Sequence, residues 1–165
     1  MRGGVSRLSL RLRCHDGPAA RRTVTRYLMA SAVGNLVWET LQLPLYTLWQ
    51  TAHAAHLGFA VLHCWAGDLL IASISLGCGI VIVGRSWPRR GYGRSAGAAL
   101  IVGVAYTVFS EWFNATVHTN WSYAPAMPRV PPLGTGLSPL LQWIVVPLAA
   151  FAWARPRRDP RPGSR

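Results

Sequence analysis

The sequence predicts an all-α integral membrane protein: four transmembrane helices in a bundle, with both termini in the cytoplasm. Three observations carry this. Hydrophobic residues make up 51% of the 165 residues and charged residues 13%, against roughly 25% charged in an average soluble domain. Four apolar runs, about 27–49, 60–84, 95–117 and 136–154, have the length that a helix needs to cross a bilayer. The formal charge of +12 is not spread evenly: all 17 basic residues are arginine, and they fall in clusters between the runs.

Seven arginines precede the first run, four lie between the second and third, and five follow the fourth, leaving Arg129 by itself. Basic clusters on alternate connections put those connections, and both termini, on the cytoplasmic side. A strongly basic chain can also bind nucleic acid, but no nucleic-acid motif occurs here, and the clusters alternate with bilayer-length spans. The use of arginine without lysine points to a GC-rich bacterial genome, and so to a multi-pass protein of the bacterial inner membrane.

Residues 1–26 read as a basic cytoplasmic tail held near anionic lipid. The first span, 27–49, places Asn35, Glu39, Gln42 and Tyr46 at i, i+4, i+7 and i+11, on one helical face. Pro44 removes a backbone donor and predicts a kink, with the Thr40 carbonyl left without its helical partner. The short connection to the second span carries His53 and His56. The second span, 60–84, holds His63 and Asp68 in its first third and then Gly77 and Gly79, which suit close packing.

The turn at 85–94 brings Trp87 and Tyr92 as membrane-interface anchors. The third span, 95–117, opens with the small-residue ladder Ser95, Ala99, Gly103, a surface for close helix approach. It closes with Glu111, Asn114 and His118 at i, i+3 and i+7. The loop 119–135, with Pro125, Pro128, Pro131 and Pro132, reads as a stiff extended cover. Its Trp121 and Tyr123 suit an interface belt or a pocket wall. The fourth span, 136–154, carries Gln142 and Pro147, and 155–165 is a second basic tail. The domain plan is therefore a tail, a four-helix membrane domain over 27–154, and a tail. Cys64 and Cys78, on one helix, lie too far apart to bridge.

Three of the five acids, Glu39, Asp68 and Glu111, lie inside spans. An ionised acid at the bilayer centre costs about 2.5–3.5 kcal/mol on insertion scales. All three are therefore expected to face inward and pair with one another, with histidine or with water. Crowding favours a proton on at least one of them. Every span gives a polar group to the outer half of the bundle. The catalytic candidates are Glu111, Glu39 and Asp68 as acid or base, assisted by His118 and His63. The candidates for holding a substrate are Asn35, Gln42, Asn114, Trp121, Tyr123 and Gln142. No H-x-x-x-H or E-x-x-H spacing specifies a metal site, and no cofactor is specified.

Two short runs resemble known families. Glu39-Thr-Leu-Gln42-Leu-Pro44 resembles the E-x-x-x-Q-L-P run of the sterol-isomerase type of four-span protein, with one residue fewer here. Glu111 followed by Trp121-Ser-Tyr123, a proline-rich loop and an apolar helix resembles the membrane-integral carotenoid hydratases. Each covers under a fifth of the chain and neither assigns a family, but both imply chemistry on a lipophilic molecule. The leading expectation is a membrane-integral enzyme or binding protein for a lipid or isoprenoid. The alternatives are a non-catalytic accessory subunit of a membrane complex, docking through the Ser95/Ala99/Gly103 ladder, and a small proton-linked transporter. The expected partners are the bilayer, a lipophilic small molecule, and a helix–helix partner or second copy of the chain.

Overall fold

A computed structural model of the chain describes residues 16–84, 86–119 and 121–156. The expected tails up to residue 15 and from 157 lie outside these. The first helix, α1 (Asp16–Gln42), is followed by a 3-10 turn (Leu43–Leu45) and a single helical turn, α2 (Leu48–Thr51). The long helix α3 (Ala54–Val83) and α4 (Tyr92–Trp112) come next, and α4 runs on into a π-helical turn (Phe113–Val117). A small antiparallel pair, β1 (Arg129–Val130) and β2 (Thr135–Gly136), leads into α5 (Leu137–Ala154). The protein is mostly helical.

Three helices are long and apolar enough to cross a membrane: Ala54–Val83, Tyr92–Val117 and Leu137–Ala154. Three such helices in a chain of this size mark a membrane protein. The first helix is not of this kind. It starts at Asp16 rather than at Tyr27, because Thr23 and Tyr27 are buried and Ala20 and Val24 pack on the core. It also ends early: Pro44 stops the helix at Gln42 instead of kinking it, and Tyr46 is extended, at φ −115° and ψ 146°. The expected run of helix to residue 49 is therefore broken. Pro147, by contrast, sits inside α5 without interrupting it.

The four long helices form a ring in which α3 packs on α1 and α4, and α5 packs on α4 and α1. Two of the close glycine approaches join α4 to its neighbours. A Cβ on Gly79 would lie 2.4 Å from the Ser95 carbonyl oxygen, and one on Gly103 would lie 2.5 Å from Trp143 Cε3. The Ser95/Ala99/Gly103 ladder is thus buried within the chain, against α3 and α5, and is not a surface for an outside partner. Gly77, expected to serve the same purpose, faces open space.

The distribution of polarity is inverted relative to a soluble protein. Gln142, Ser31, Ser75 and Ser95 are among the most completely buried side chains, while Val81 is 81% exposed and Leu41 74%. Water would not tolerate so much apolar surface; a bilayer would.

All the described arginines except Arg129 gather at one end of the ring: Arg21, Arg22 and Arg26 on α1, Arg89, Arg90 and Arg94 around the α3–α4 turn, and Arg155 after α5. Trp87 is buried there, not an interface anchor; its indole N–H donates to Ser95 Oγ at 2.8 Å. Tyr92 donates its hydroxyl to the Phe151 carbonyl at 2.7 Å. At the opposite end the two connections are stitched together. Thr47 N donates to Ser122 O at 3.0 Å, Ala124 N donates to Leu45 O at 2.9 Å, and Tyr46 bridges Tyr123.

Candidate functional site

The polar residues of α1 lie on its inward face, as their spacing predicts: Asn35, Glu39 and Gln42 are all buried. Asp68 on α3, Glu111 on α4 and Gln142 on α5 are buried as well. What joins them is the Gln142 amide. Its Nε2 lies 2.8 Å from Asp68 Oδ2, 3.1 Å from Glu39 Oε1 and 3.2 Å from Asn35 Oδ1. Two amide hydrogens therefore serve three acceptors from two other helices. Gln42 Nε2 donates to Glu39 Oε1 at 2.8 Å and to Gln142 Oε1 at 3.2 Å. The chain of bonds continues outward, with Ser138 Oγ donating to Gln42 Oε1 at 2.9 Å and Trp38 Nε1 donating to Ser138 Oγ at 3.2 Å. The Gln142 amide thus bridges the carboxyl groups of Glu39 and Asp68.

Glu111 forms a second station. The Tyr123 hydroxyl donates to Glu111 Oε2 and accepts from the Gly136 backbone N–H at 3.0 Å. The Arg129 guanidinium covers the Tyr123 ring at 5.3 Å. Tyr46 packs against the same ring, with centroids 5.6 Å apart. Both phenols lie in the connections beyond the spans, and both are held well above their ordinary pKa. Burial is the larger cause in each case. For Tyr123 the bond to Glu111 adds to it, and for Tyr46 the neighbouring Glu111 charge does.

The two stations open onto one cavity of about 640 Å³, within the range of about 300–1,000 Å³ usual for small-molecule sites. Glu39, Asp68, Glu111 and Gln142 all reach its wall, so each long helix contributes a polar side chain. Gln42, Asn114 and Trp121 line it too. Asn114 turns its Nδ2 back to the Ser110 carbonyl at 2.8 Å. Asn35 lies behind the wall, reached through Gln142, and Tyr123 lies behind Glu111.

The histidines are placed differently from the carboxyls. His63 lines the cavity at its exposed rim, stacked on Phe59 with centroids 5.7 Å apart. His118 is not brought to the site. It is exposed and packs on Phe113, with ring centroids 4.4 Å apart. The helical spacing from Glu111 to His118 assumes 3.6 residues per turn. The π-helical turn between them widens the coil, with His118 N donating five residues back to Phe113 O at 2.9 Å, and this rotates the imidazole off the face.

Several wall residues carry no signal in the sequence. Tyr106, Ser110 and Cys64 sit in apolar stretches like any other residue and are brought to the cavity only by the packing of α3 and α4. Among the described residues no group of three or more His, Cys, Asp or Glu is arranged to hold a metal ion. The chain matches no family model, and no curated protein or solved structure matches it.

Proposed function

We propose that this is a small membrane-integral protein that binds, and acts by acid–base chemistry on, a lipophilic molecule held in the cavity between its helices. The observation that carries the reading is one cavity reached by the three buried carboxyls Glu39, Asp68 and Glu111, from three different helices, with the amide of Gln142 tying two of them together. Intramembrane carboxyls are costly and mark function by default. The Glu39/Asp68 pair supplies a proton donor and acceptor side by side, and Glu111 with Tyr123 supplies another. Isomerisation, hydration and hydrolysis all draw on such pairs. His63 at the rim is suited to exchange protons with the outside.

In this reading α1 is the fourth span. Its polar face is buried in the ring, and its outward face is apolar at Met29, Val33, Val37 and Leu41. The arginine end, and with it both termini, faces the cytoplasm. The cavity then lies in the outer half of the membrane.

The test is lipid mass spectrometry on the protein purified in mild detergent, beside Glu111→Gln and Asp68→Asn variants. A lipid carried by the parent and lost from the folded variants supports the reading. Identical lipid content in parent and variants would assign the carboxyls to bundle architecture. Cysteine-accessibility labelling at residues 22 and 131 in sealed vesicles tests the orientation, which requires the two positions to react from opposite sides.

A further inference from the structure

The cavity is not closed on its flank. Phe59 on α3 and Tyr106 on α4 both line it, yet Phe59 is 65% and Tyr106 47% exposed. The same two helices are in their tightest contact toward the arginine end, where Gly79 meets Ser95. The opposite mouth is covered by the stitched connections around Tyr46 and Tyr123. An opening bordered by exposed aromatic side chains on membrane-crossing helices faces hydrocarbon, not water.

The wall chemistry restricts what can pass. Among the described residues no arginine lines the cavity, and the sequence has no lysine. The imidazoles of His56 and His63 sit at the exposed rim. An anionic head would meet three carboxyls and no fixed cation. A molecule arriving sideways must also bring its head through the apolar layer, which penalises any charge. The Trp121 indole N–H is buried at the wall and makes no well-formed hydrogen bond among the described residues; its interaction is with the Glu111 carboxyl. A ligand oxygen beside Glu111 would compete for that donor.

We infer that the cavity is loaded sideways from the bilayer between α3 and α4, and that its ligand is an amphipath with an uncharged oxygen-bearing head, an alcohol or ketone, and an apolar chain that trails past Phe59 and Tyr106 into the lipid. This rests on reading the cavity as a ligand site.

Gly67 provides the control. It lines the cavity, and a Cβ there meets nothing within 4 Å. Gly67→Phe therefore places a bulky side chain at the wall with nothing packed against its Cβ and with every carboxyl retained, and Gly67→Leu is the milder form. The experiment reconstitutes the full chain in phosphatidylcholine vesicles and offers hexadecanol carrying a mid-chain diazirine, or the matching hexadecyl phosphate. Irradiation is followed by peptide mass spectrometry, with circular dichroism checking that each variant is folded. The expected result is labelling of the α3 and α4 segments around Phe59 and Tyr106 by the alcohol but not by the phosphate. That labelling is lost in Gly67→Phe or Gly67→Leu and weakened in Trp121→Phe. Equal labelling by the phosphate overturns the uncharged head. Labelling confined to the connection around Thr119 and Trp121 overturns sideways entry. Either result leaves the cavity as a ligand site. If neither probe labels any wall residue, or if labelling persists in the folded Gly67 variants, the cavity takes no such amphipath, and the functional reading falls with the inference.

Discussion

Replacing Gln142 by methionine, which keeps length and volume but removes the amide, tests whether one side chain holds the polar centre together. The substitution deletes the donor shared by Asp68, Glu39 and Asn35 and the acceptor used by Gln42. Two hydrogens and one oxygen make about three full bonds. In bilayer settings such bonds average about 0.6 and reach about 1.7 kcal/mol each. Those to carboxyl groups belong near the upper end, since a stranded buried acceptor is expensive. The expected loss is therefore about 2–5 kcal/mol. At roughly 2–4 °C per kcal/mol for a chain of this size, the thermal midpoint should drop by roughly 4–20 °C. The assay is unfolding in mild detergent followed by tryptophan fluorescence, since Trp143 adjoins Gln142 in α5 and Trp38 belongs to the same hydrogen-bond network. A Gln142→Met protein that melts with the parent would refute the argument: the carboxyls would then be held by one another and by water, not by this amide.

Two further outcomes follow from other parts of the molecule. Gly79→Ala places a methyl 2.4 Å from a backbone oxygen that has no room to yield, so it should cost at least about 1–3 kcal/mol and reduce the recovery of monodisperse protein. Normal recovery and melting would mean that α3 and α4 are not in close contact there. The raised phenols of Tyr46 and Tyr123 predict alkaline destabilisation. Above their ordinary pKa of 10.0 the unfolded chain loses these protons while the folded chain keeps them, so stability falls as pH rises, by at most about 1.4 kcal/mol per pH unit for each phenol. Below that pH they contribute no slope. Tyr123→Phe should flatten the alkaline slope measured by chemical denaturation, and an unchanged slope would place the proton loss elsewhere.

Much of the plan is legible in the chain. Apolar runs of bilayer length fix the helices because a span must satisfy its own backbone. The i, i+4, i+7 spacing of Asn35, Glu39 and Gln42 fixes a common face because the helix repeats every 3.6 residues. The same periodic argument fails wherever the repeat changes. Pro44 ends α1 before Tyr46, so that residue joins the site from an extended segment. The π-helical turn after Trp112 carries His118 away.

The sequence by itself determined which residues are buried polar ones, because placing Glu39, Asp68, Glu111 or Gln142 against lipid costs too much. Only the tertiary structure decided which of them meet. Gln142 reaches Asp68, Glu39 and Asn35 across sequence separations of 74, 103 and 107 residues. Burial cost is a property of each residue and is readable one position at a time. A hydrogen bond is a property of two positions in space, and the ring order of the helices, with close approaches such as Gly79 on Ser95 and Gly103 against Trp143, sets which pairs come within reach.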